Sequence, residues 1–268
     1  MEIRMDEQVP DFLWRNISSL PYFRGLLRAV EGRFYQTIKL IGPVLDLGCG
    51  DGHFTEATFE KPLDIGLDPW LRPLQEAQKR QIYGLNIFAE GACMPFDDQA
   101  FWSVISNSVL EHIPDLMPVL NEVARVIKPG GKFVFCVPNH QFDQSLSIGN
   151  WLDQVGLHRL SKKYRRWFER IARHHHLDSP EVWTRRLNEA GFEVIQWWHY
   201  FSPKSQAVME WGHFLGLPSL VLRKLTGKWI LMPTRRNLGI VYRLLQPYYL
   251  PSAECGNGVC TFYIAQRK

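Results

Sequence analysis

No long apolar run interrupts this sequence of 268 residues, and its net charge is a modest +4. Because no stretch of eighteen or more uncharged apolar residues is present, we predict no transmembrane helix. Residues 1–7 contain acidic side chains and no apolar stretch, so we expect no secretory signal and a cytoplasmic protein. The chain is long enough to bury a full core, as one large α/β domain or as a domain with a sizeable insertion.

Cysteine is scarce and odd in number, with the five residues Cys49, Cys93, Cys136, Cys255 and Cys260. The odd number and the apolar or glycine-rich context of three of them favour buried free thiols in a reducing compartment. Cys255 and Cys260 are spaced as half of a zinc site, but no second pair accompanies them. Adjacent histidines at 174–176 point in different directions on a helix, so at most two could share one ion. We therefore predict no metal site.

Short apolar runs alternate with helical patterns along the chain. The predicted strands are 44–47, 62–68, 85–90, 101–107, 133–137, 192–200 and 259–265. The predicted helices between them are 54–59, 71–81, 114–128 and 179–191. Such alternation predicts an α/β fold with a doubly wound, Rossmann-like sheet of seven strands, mostly parallel and covered on both faces.

Three segments lie outside this alternation: residues 1–40, 140–178 and 203–250. Apolar residues between 20 and 34 recur at helical spacing, which predicts an N-terminal helical cap over 1–40. We predict one domain over residues 1–268, with a ligand-binding core over 41–139. Residues 140–178 and 203–250 would then be helical insertions in that domain.

Glycine recurs in one turn, directly after the first predicted strand. Its positions are Gly48, Gly50 and Gly52. Glycines in such a turn permit positive φ and the close approach of a ligand, and the next helix points its N–H groups at that ligand. A dinucleotide-binding turn would have its third glycine where His53 stands. Asp46 could accept a hydrogen bond from an ammonium group but would be badly placed beside a pyrophosphate, so the turn favours a zwitterionic or cationic nucleoside over NAD.

Acidic residues end the second and third predicted strands. Asp68 follows Gly48 by twenty residues, which is where a carboxylate takes ribose hydroxyls. Glu90, followed by Gly91, stands where a carboxylate could accept a hydrogen bond from an adenine amino group. A helix cap for Asp68 and an exposed loop carboxylate for Glu90 are the alternatives.

Four segments taken in order resemble a class I S-adenosylmethionine-dependent methyltransferase of the type 11 group: 44–54, 66–68, 90–96 and 106–115. The resemblance covers residues 40–140 well and the later helix and strands more loosely. It implies S-adenosyl-L-methionine as cofactor. Glu90 and Trp102 stand where family members usually have Asp. Glu90 has a longer side chain than Asp at the adenine site, and Trp102 changes a position in the packing or at the surface.

The resemblance also implies roles for single residues. Asp46 would hold the methionine ammonium group, Asp68 the ribose hydroxyls, and Pro69 would lie against the adenine. The remaining cofactor contacts would come from Gly48, Cys49, Gly50, Gly52, Glu90, Gly91, Asn107 and Ser108. His112 would lie close to the methionine portion and is the candidate general base, with packing or a hydrogen bond at a helix start as its alternative role.

The segments outside the sheet would select the acceptor. Residues 203–250 contain seven lysines and arginines against one glutamate, interleaved with apolar and aromatic residues. This composition is typical of an interfacial amphipathic segment. It predicts O- or C-methylation of a lipophilic small molecule by a monomer or homodimer that contacts an anionic membrane surface. A helical lid with an apolar core side and a solvated basic side fits equally well.

The sequence is also compatible with other functions. The acceptor could be a polar small molecule such as a sugar or amino compound, or the chain could bind S-adenosylmethionine without turnover. An NAD-dependent oxidoreductase is disfavoured by Asp46 and His53. Nucleic acid is disfavoured as a partner because the net charge is modest and no Asn/Asp-Pro-Pro-aromatic motif occurs at 107–110.

Overall fold

Seven strands form a single sheet in the computed structural model, which describes residues 10–250 and 255–268. The strands are β1 (Val44–Leu47), β2 (Leu63–Asp68), β3 (Tyr83–Phe88), β4 (Phe101–Asn107), β5 (Ile127–Pro138), β6 (Phe192–Tyr200) and β7 (Cys260–Arg267). Their order in the sheet is β3-β2-β1-β4-β5-β7-β6. The pairs among β1 to β5 are parallel, and β7 is antiparallel to both of its neighbours. The predicted α/β class and mostly parallel seven-stranded sheet are confirmed.

Helices cover the sheet and extend beyond it. They are α1 (Phe12–Ile17), α2 (Tyr22–Tyr35), α3 (His53–Thr58), α4 (Leu71–Arg80), α5 (Leu116–Val126), α6 (Ser147–Gln154), α7 (His158–Ala172), α8 (Pro180–Glu189), α9 (Pro203–Leu215), α10 (Leu217–Thr226) and α11 (Arg235–Tyr249). A single 3-10 turn, Leu110–His112, follows β4. Among the described residues, no helix combines the length and the apolar character that a membrane crossing requires.

Two buried clusters lie on the two faces of the sheet. Alternate residues of β5 enter different clusters: Phe133 and Phe135 belong to one, and Val134 and Cys136 to the other. This alternation follows from the period of two in a strand. Helices α2 and α4 supply the first cluster together with Val134, whereas α5 and α8 supply the second. The central strands of the sheet are therefore buried on both faces, which is why they are continuous apolar runs.

The start of β5 differs from the prediction. Helix α5 ends at Val126, and β5 begins at the next residue rather than at 133. Phe101 pairs with Ile127, but Ser103 pairs with Lys132, so the register shifts across the segment 129–131. Proline and glycine in this segment indicate the end of a helix, but here they lie in an irregularity of the strand.

The segments outside the strand–helix alternation contain helices. Residues 140–178 contain α6 and α7, and residues 203–250 contain α9, α10 and α11. In the predicted N-terminal cap, α1 and α2 are present, and residues 1–9 lie outside the described part of the chain. Helix α9 packs on α2 so closely that a Cβ added at Gly212 would collide with Phe23.

Candidate functional site

The glycine turn has the backbone geometry that its sequence predicts. Gly48, Gly50 and Gly52 all have positive φ, at 76°, 56° and 72°. A Cβ at Gly48 would collide with the side chain of Val109, whereas a Cβ at Gly50 would meet nothing within 4 Å. Gly48 is therefore needed for both its conformation and its packing. Gly50 leaves open space beside the backbone, where a ligand could approach it.

A cleft of about 1020 Å³ opens beside this turn, at the carboxyl ends of β1 and β4. In the sheet order, the chain turns back between these two strands, and such a switch point is where α/β sheets bind ligands. Six of the predicted cofactor residues line the cleft: Asp46, Gly48, Cys49, Gly50, Asn107 and Ser108. The other predicted site residues lie outside its lining: Gly52, Asp68, Pro69, Glu90, Gly91 and His112.

Asp46 is buried, and one of its oxygens is already engaged. Its Oδ2 accepts hydrogen bonds from the Thr55 hydroxyl at 2.6 Å and the Tyr83 hydroxyl at 2.5 Å. Within the described residues, Oδ1 has no hydrogen-bond partner, and Asp46 lines the cleft. Burial raises the pKa of Asp46, although both hydroxyls act in the opposite direction. A cationic group in the cleft would therefore stabilise the ionised form.

Asp68 ties the end of β2 to the glycine turn. Its Oδ2 accepts from the Gly50 N–H and its Oδ1 from the Trp70 N–H, both at 2.8 Å. Burial raises the pKa of Asp68, and the neighbouring carboxylates of Asp51 and Glu90 act in the same direction. Each carboxylate oxygen keeps a second lone pair, so Asp68 can accept further hydrogen bonds.

Glu31 was not predicted as a site residue, yet its carboxylate joins several elements at the cleft. It is fully buried on α2. Its Oε2 accepts from Asn107 Nδ2 at 2.7 Å and from Arg28 at 2.9 Å, and its Oε1 accepts from the Tyr200 hydroxyl at 2.9 Å and Ser108 Oγ at 3.2 Å. A buried carboxylate is tolerated only when it is paired in this way. Glu31 therefore fixes the end of β4 against α2.

The cleft also has a basic lining, partly from the segment 203–250 that we predicted to select the acceptor and partly from α2 and α4, whose cations were not predicted to lie there. Six cationic side chains contribute to it, with three carboxylates beside them. The cations are Arg24, Arg28, Arg72, Lys79, Arg223 and Lys224, and the carboxylates are Asp46, Asp51 and Glu76. On α2, the spacing of Arg24, Arg28 and Glu31 by four and three residues puts them on one helix face. This spacing is the feature of the sequence that could have predicted a charged face on α2.

His53 stands at the position of the absent third glycine and also lines the cleft. Its Nε2 lies 2.6 Å from the hydroxyl of Ser19. Burial lowers the pKa of His53 to about 4, so the ring is neutral at pH 7. Its bulk is accommodated where the first turn of α3 packs against the end of α1.

His112 lies apart from the cleft lining. Its Nδ1–H donates to the carbonyl of Arg173 at 3.0 Å, and its ring stacks on His174 with centroids 5.7 Å apart. These contacts are packing and a hydrogen bond to the residue that ends α7, whereas the alternative role that we gave was packing or a hydrogen bond at a helix start. The catalytic role of His112 stays a prediction. Among the described residues, no group of three or more histidine, cysteine or acidic side chains could hold a metal ion.

Glu111, next to His112, is a second fully buried carboxyl group. Its Oε2 has no hydrogen-bond partner within the described residues, and its Oε1 lies 3.8 Å from His112 Nε2. Burial raises the pKa of Glu111 to about 8, although Arg28 acts in the opposite direction. At neutral pH this group is therefore largely protonated.

A model of the methyltransferase domain family matches residues 14–197 of this chain. A methyltransferase from Mycobacterium sp. (strain KMS) is 33% identical over 116 residues, which are 43% of this chain and 42% of that protein. A ubiquinone biosynthesis O-methyltransferase from Pseudomonas fluorescens (strain Pf0-1) is 36% identical over 112 residues, which are 39% of this chain and 48% of that protein. The matched segment thus spans less than half the length of each relative.

The fold also resembles solved structures over most of the chain. The crystal structure of a SAM-dependent methyltransferase from Thermotoga maritima superposes with a TM-score of 0.57 and 15% identity. The superposition covers 92% of this chain and 91% of that one. At this identity the likeness shows the fold alone.

The raised pKa of Glu111 predicts a pH-dependent stability. The folded state favours the protonated form, so the stabilisation is fully present below the ordinary pKa of 4.5 and is lost as the pH rises through about 8. Glu111→Gln stays uncharged throughout. In urea unfolding at pH 5 to 8, we expect the free energy of unfolding of the wild type to fall relative to Glu111→Gln by up to about 1.4 kcal/mol per pH unit. Parallel curves for the two proteins would contradict the assignment, and the exposed Glu169→Gln is the control.

Proposed function

Because the chain belongs to the class I S-adenosylmethionine-dependent methyltransferase family, we propose that it transfers a methyl group from S-adenosylmethionine to a small organic acceptor. One observation carries this proposal: a glycine turn and two buried aspartates, Asp46 and Asp68, meet at the carboxyl ends of neighbouring strands. A cleft large enough for a nucleoside and a second molecule opens beside them.

The residues present fit the donor. The free Oδ1 of Asp46 would accept from the ammonium group of the methionine portion, and the open space at Gly50 would receive the ligand beside the backbone. Asp68 would accept from the ribose hydroxyls while holding the turn through the Gly50 N–H. The adenine would lie near Pro69, Glu90 and Gly91.

The main task of the chain would be positioning. When bound, S-adenosylmethionine supplies a methyl group on a positively charged sulfur, and that carbon is already a strong electrophile. Rate enhancement then comes mostly from holding the acceptor in line with the methyl group. Asn107 and Ser108 would provide a rigid wall for this alignment, because both bond the buried carboxylate of Glu31.

We infer that the acceptor is at least partly lipophilic. Leu20 and Phe54 line the cleft on one side, and Leu220 and Trp229 line it on the α10 side. One of the aligned relatives is named for ubiquinone biosynthesis, which is consistent with an O-methyl acceptor of this kind. A polar acceptor is the second candidate, and the charged lining of the cleft is the observation that favours it.

We further propose that the outer surface of α10 and α11 contacts an anionic membrane. Large apolar side chains are exposed there: Val221, Leu225, Leu231, Met232, Ile240 and Leu244. Exposed cations lie among them at Lys228, Arg236 and Arg243. Apolar side chains that insert at the headgroup boundary and cations that attract anionic lipid are the two components of interfacial binding.

Calorimetric titration tests the donor assignment. We expect S-adenosylhomocysteine and S-adenosylmethionine to bind, and NAD to bind far more weakly. Loss of hydrogen bonds to a charged group costs about 1.5–3 kcal/mol, so Asp68→Ala should weaken binding by roughly ten- to a hundredfold. Asp97→Ala, which removes an exposed carboxylate elsewhere, should bind as the wild type does. Preferential binding of NAD, or normal affinity in Asp68→Ala, would contradict the assignment.

Co-sedimentation with lipid vesicles tests the membrane proposal. We expect the protein to pellet with phosphatidylglycerol-containing vesicles at low salt, and less at high salt, because screening weakens the attraction between cations and anionic lipid. Leu225→Asp should reduce pelleting. Ile195→Asp, an equivalent change at an exposed position of β6, should not. Equal behaviour of the two variants, or no binding to anionic vesicles, would rule the membrane contact out.

A further inference from the structure

The part of the cleft proposed for the acceptor is lined by more cations than the single carboxylate of the donor can neutralise. We propose that the acceptor carries an oxyanion, a carboxylate or a phosphate, and that Arg24 of α2 and Lys224 of α10 bind it with help from Arg223. This inference rests on the proposed function and names the class of its second substrate.

The guanidinium of Arg24 is the best candidate for binding the oxyanion. It lies one helical turn before Arg28 and lines the cleft, where solvent reaches it. Within the described residues, its guanidinium has no hydrogen bond or ion pair. Partial removal from water lowers the pKa of Arg24, and the positive charge of Arg28 lowers it further, whereas the carboxylate of Asp51 acts in the opposite direction. A guanidinium without a partner and beside a second cation is stabilised by an anion.

Arg28 differs from Arg24 because its guanidinium is already paired with a carboxylate. Its Nη1 donates to Glu31 at 2.9 Å and to the carbonyl of Asn107 at 3.3 Å. Burial alone would lower the pKa of Arg28, but the Glu31 carboxylate raises it above its ordinary value. Arg28 therefore supports the wall of the cleft, and Arg24 is left to bind a ligand.

Helix α10 presents cations from the opposite side of the cleft. Lys224 is exposed and has no ion pair within the described residues, and it lines the cleft together with Arg223. Arg223 lies 3.7 Å from Glu76 of α4 and packs over the ring of Trp229 at 4.5 Å. A solvent-exposed ion pair at that distance is weak, so the Arg223 guanidinium can also serve a ligand.

The charge of the donor favours a second anion in the cleft. S-adenosylmethionine carries an ammonium and a sulfonium against one carboxylate, so it adds net positive charge to a cleft lined by six cations and three carboxylates. Its single carboxylate brings one negative charge, which does not offset the excess of cations. An acceptor with its own oxyanion would offset the remaining charge, and it would be attracted to the cleft by the same field.

The apolar residues of the cleft define the rest of the acceptor. Leu220 and Trp229 lie on the same wall as Arg223 and Lys224, and Leu20 lies near Arg24 on the other side. A molecule that fits both features has an apolar body and an anionic group. This combination accounts for the apolar and the charged linings with one substrate class.

Calorimetry with two probes tests the subsite: inorganic pyrophosphate, and octanoate as an apolar carboxylate. The full chain is first saturated with S-adenosylhomocysteine, so that the cofactor's own carboxylate is in place. We expect the complex to bind at least one probe, and the stronger binder distinguishes phosphate from carboxylate recognition. Arg24→Gln and Lys224→Gln should each weaken that binding about tenfold, as expected for one charge-assisted hydrogen bond. Arg236→Gln, which removes an exposed cation from α11, should leave it unchanged.

Three results would overturn the inference: no binding of either probe, equal losses in Arg236→Gln, or a loss of S-adenosylhomocysteine affinity in Arg24→Gln as large as the loss of probe affinity. The last result would assign the cluster to the cofactor's carboxylate. If S-adenosylhomocysteine itself does not bind the wild type, the proposed function fails instead. The same titration without it would then still test the anion subsite.

Discussion

The buried carboxylate of Glu31 is the contact on which the geometry of the cleft depends. It joins α2 to the end of β4 through Asn107 and Ser108, and to β6 through Tyr200. A carboxylate buried without partners would cost several kcal/mol, so all of these groups are held in place together. Because α2 is rigid, the same anchoring also sets the direction of Arg24, two turns earlier on the helix.

The cleft has two halves with different origins. The half proposed for the donor is built by the carboxyl ends of parallel strands and by the glycine turn, which the sheet order brings to one edge. The half proposed for the acceptor lies beside helices outside the sheet: α2 supplies Arg24, and α10 supplies Leu220, Arg223 and Lys224. A shared donor site with variable helical additions explains how one fold can serve many acceptors.

Local patterns predicted the sheet and the conformation of the glycine turn. The glycine turn, the apolar strands and the acidic strand ends are short-range features, and the structure has Gly48, Gly50 and Gly52 at positive φ. The role of Glu31 was not predicted, because Asn107 and Tyr200 are distant in the sequence and one glutamate in a helix gives no sign of them. The predicted start of β5 was also wrong. Proline and glycine at 129–131 indicate an interruption of regular structure, but not whether a helix or a strand contains it.

The central claim is that one cleft, beside the glycine turn and under α10, holds the donor and leaves room for the acceptor. A crystal structure of the full chain with S-adenosylhomocysteine tests it most directly. The account predicts the ammonium group at Asp46, the ribose at Asp68, and the sulfur facing the space between Arg24 and Lys224. Binding at another surface, or a sulfur enclosed by protein with no space beside it, would contradict the account.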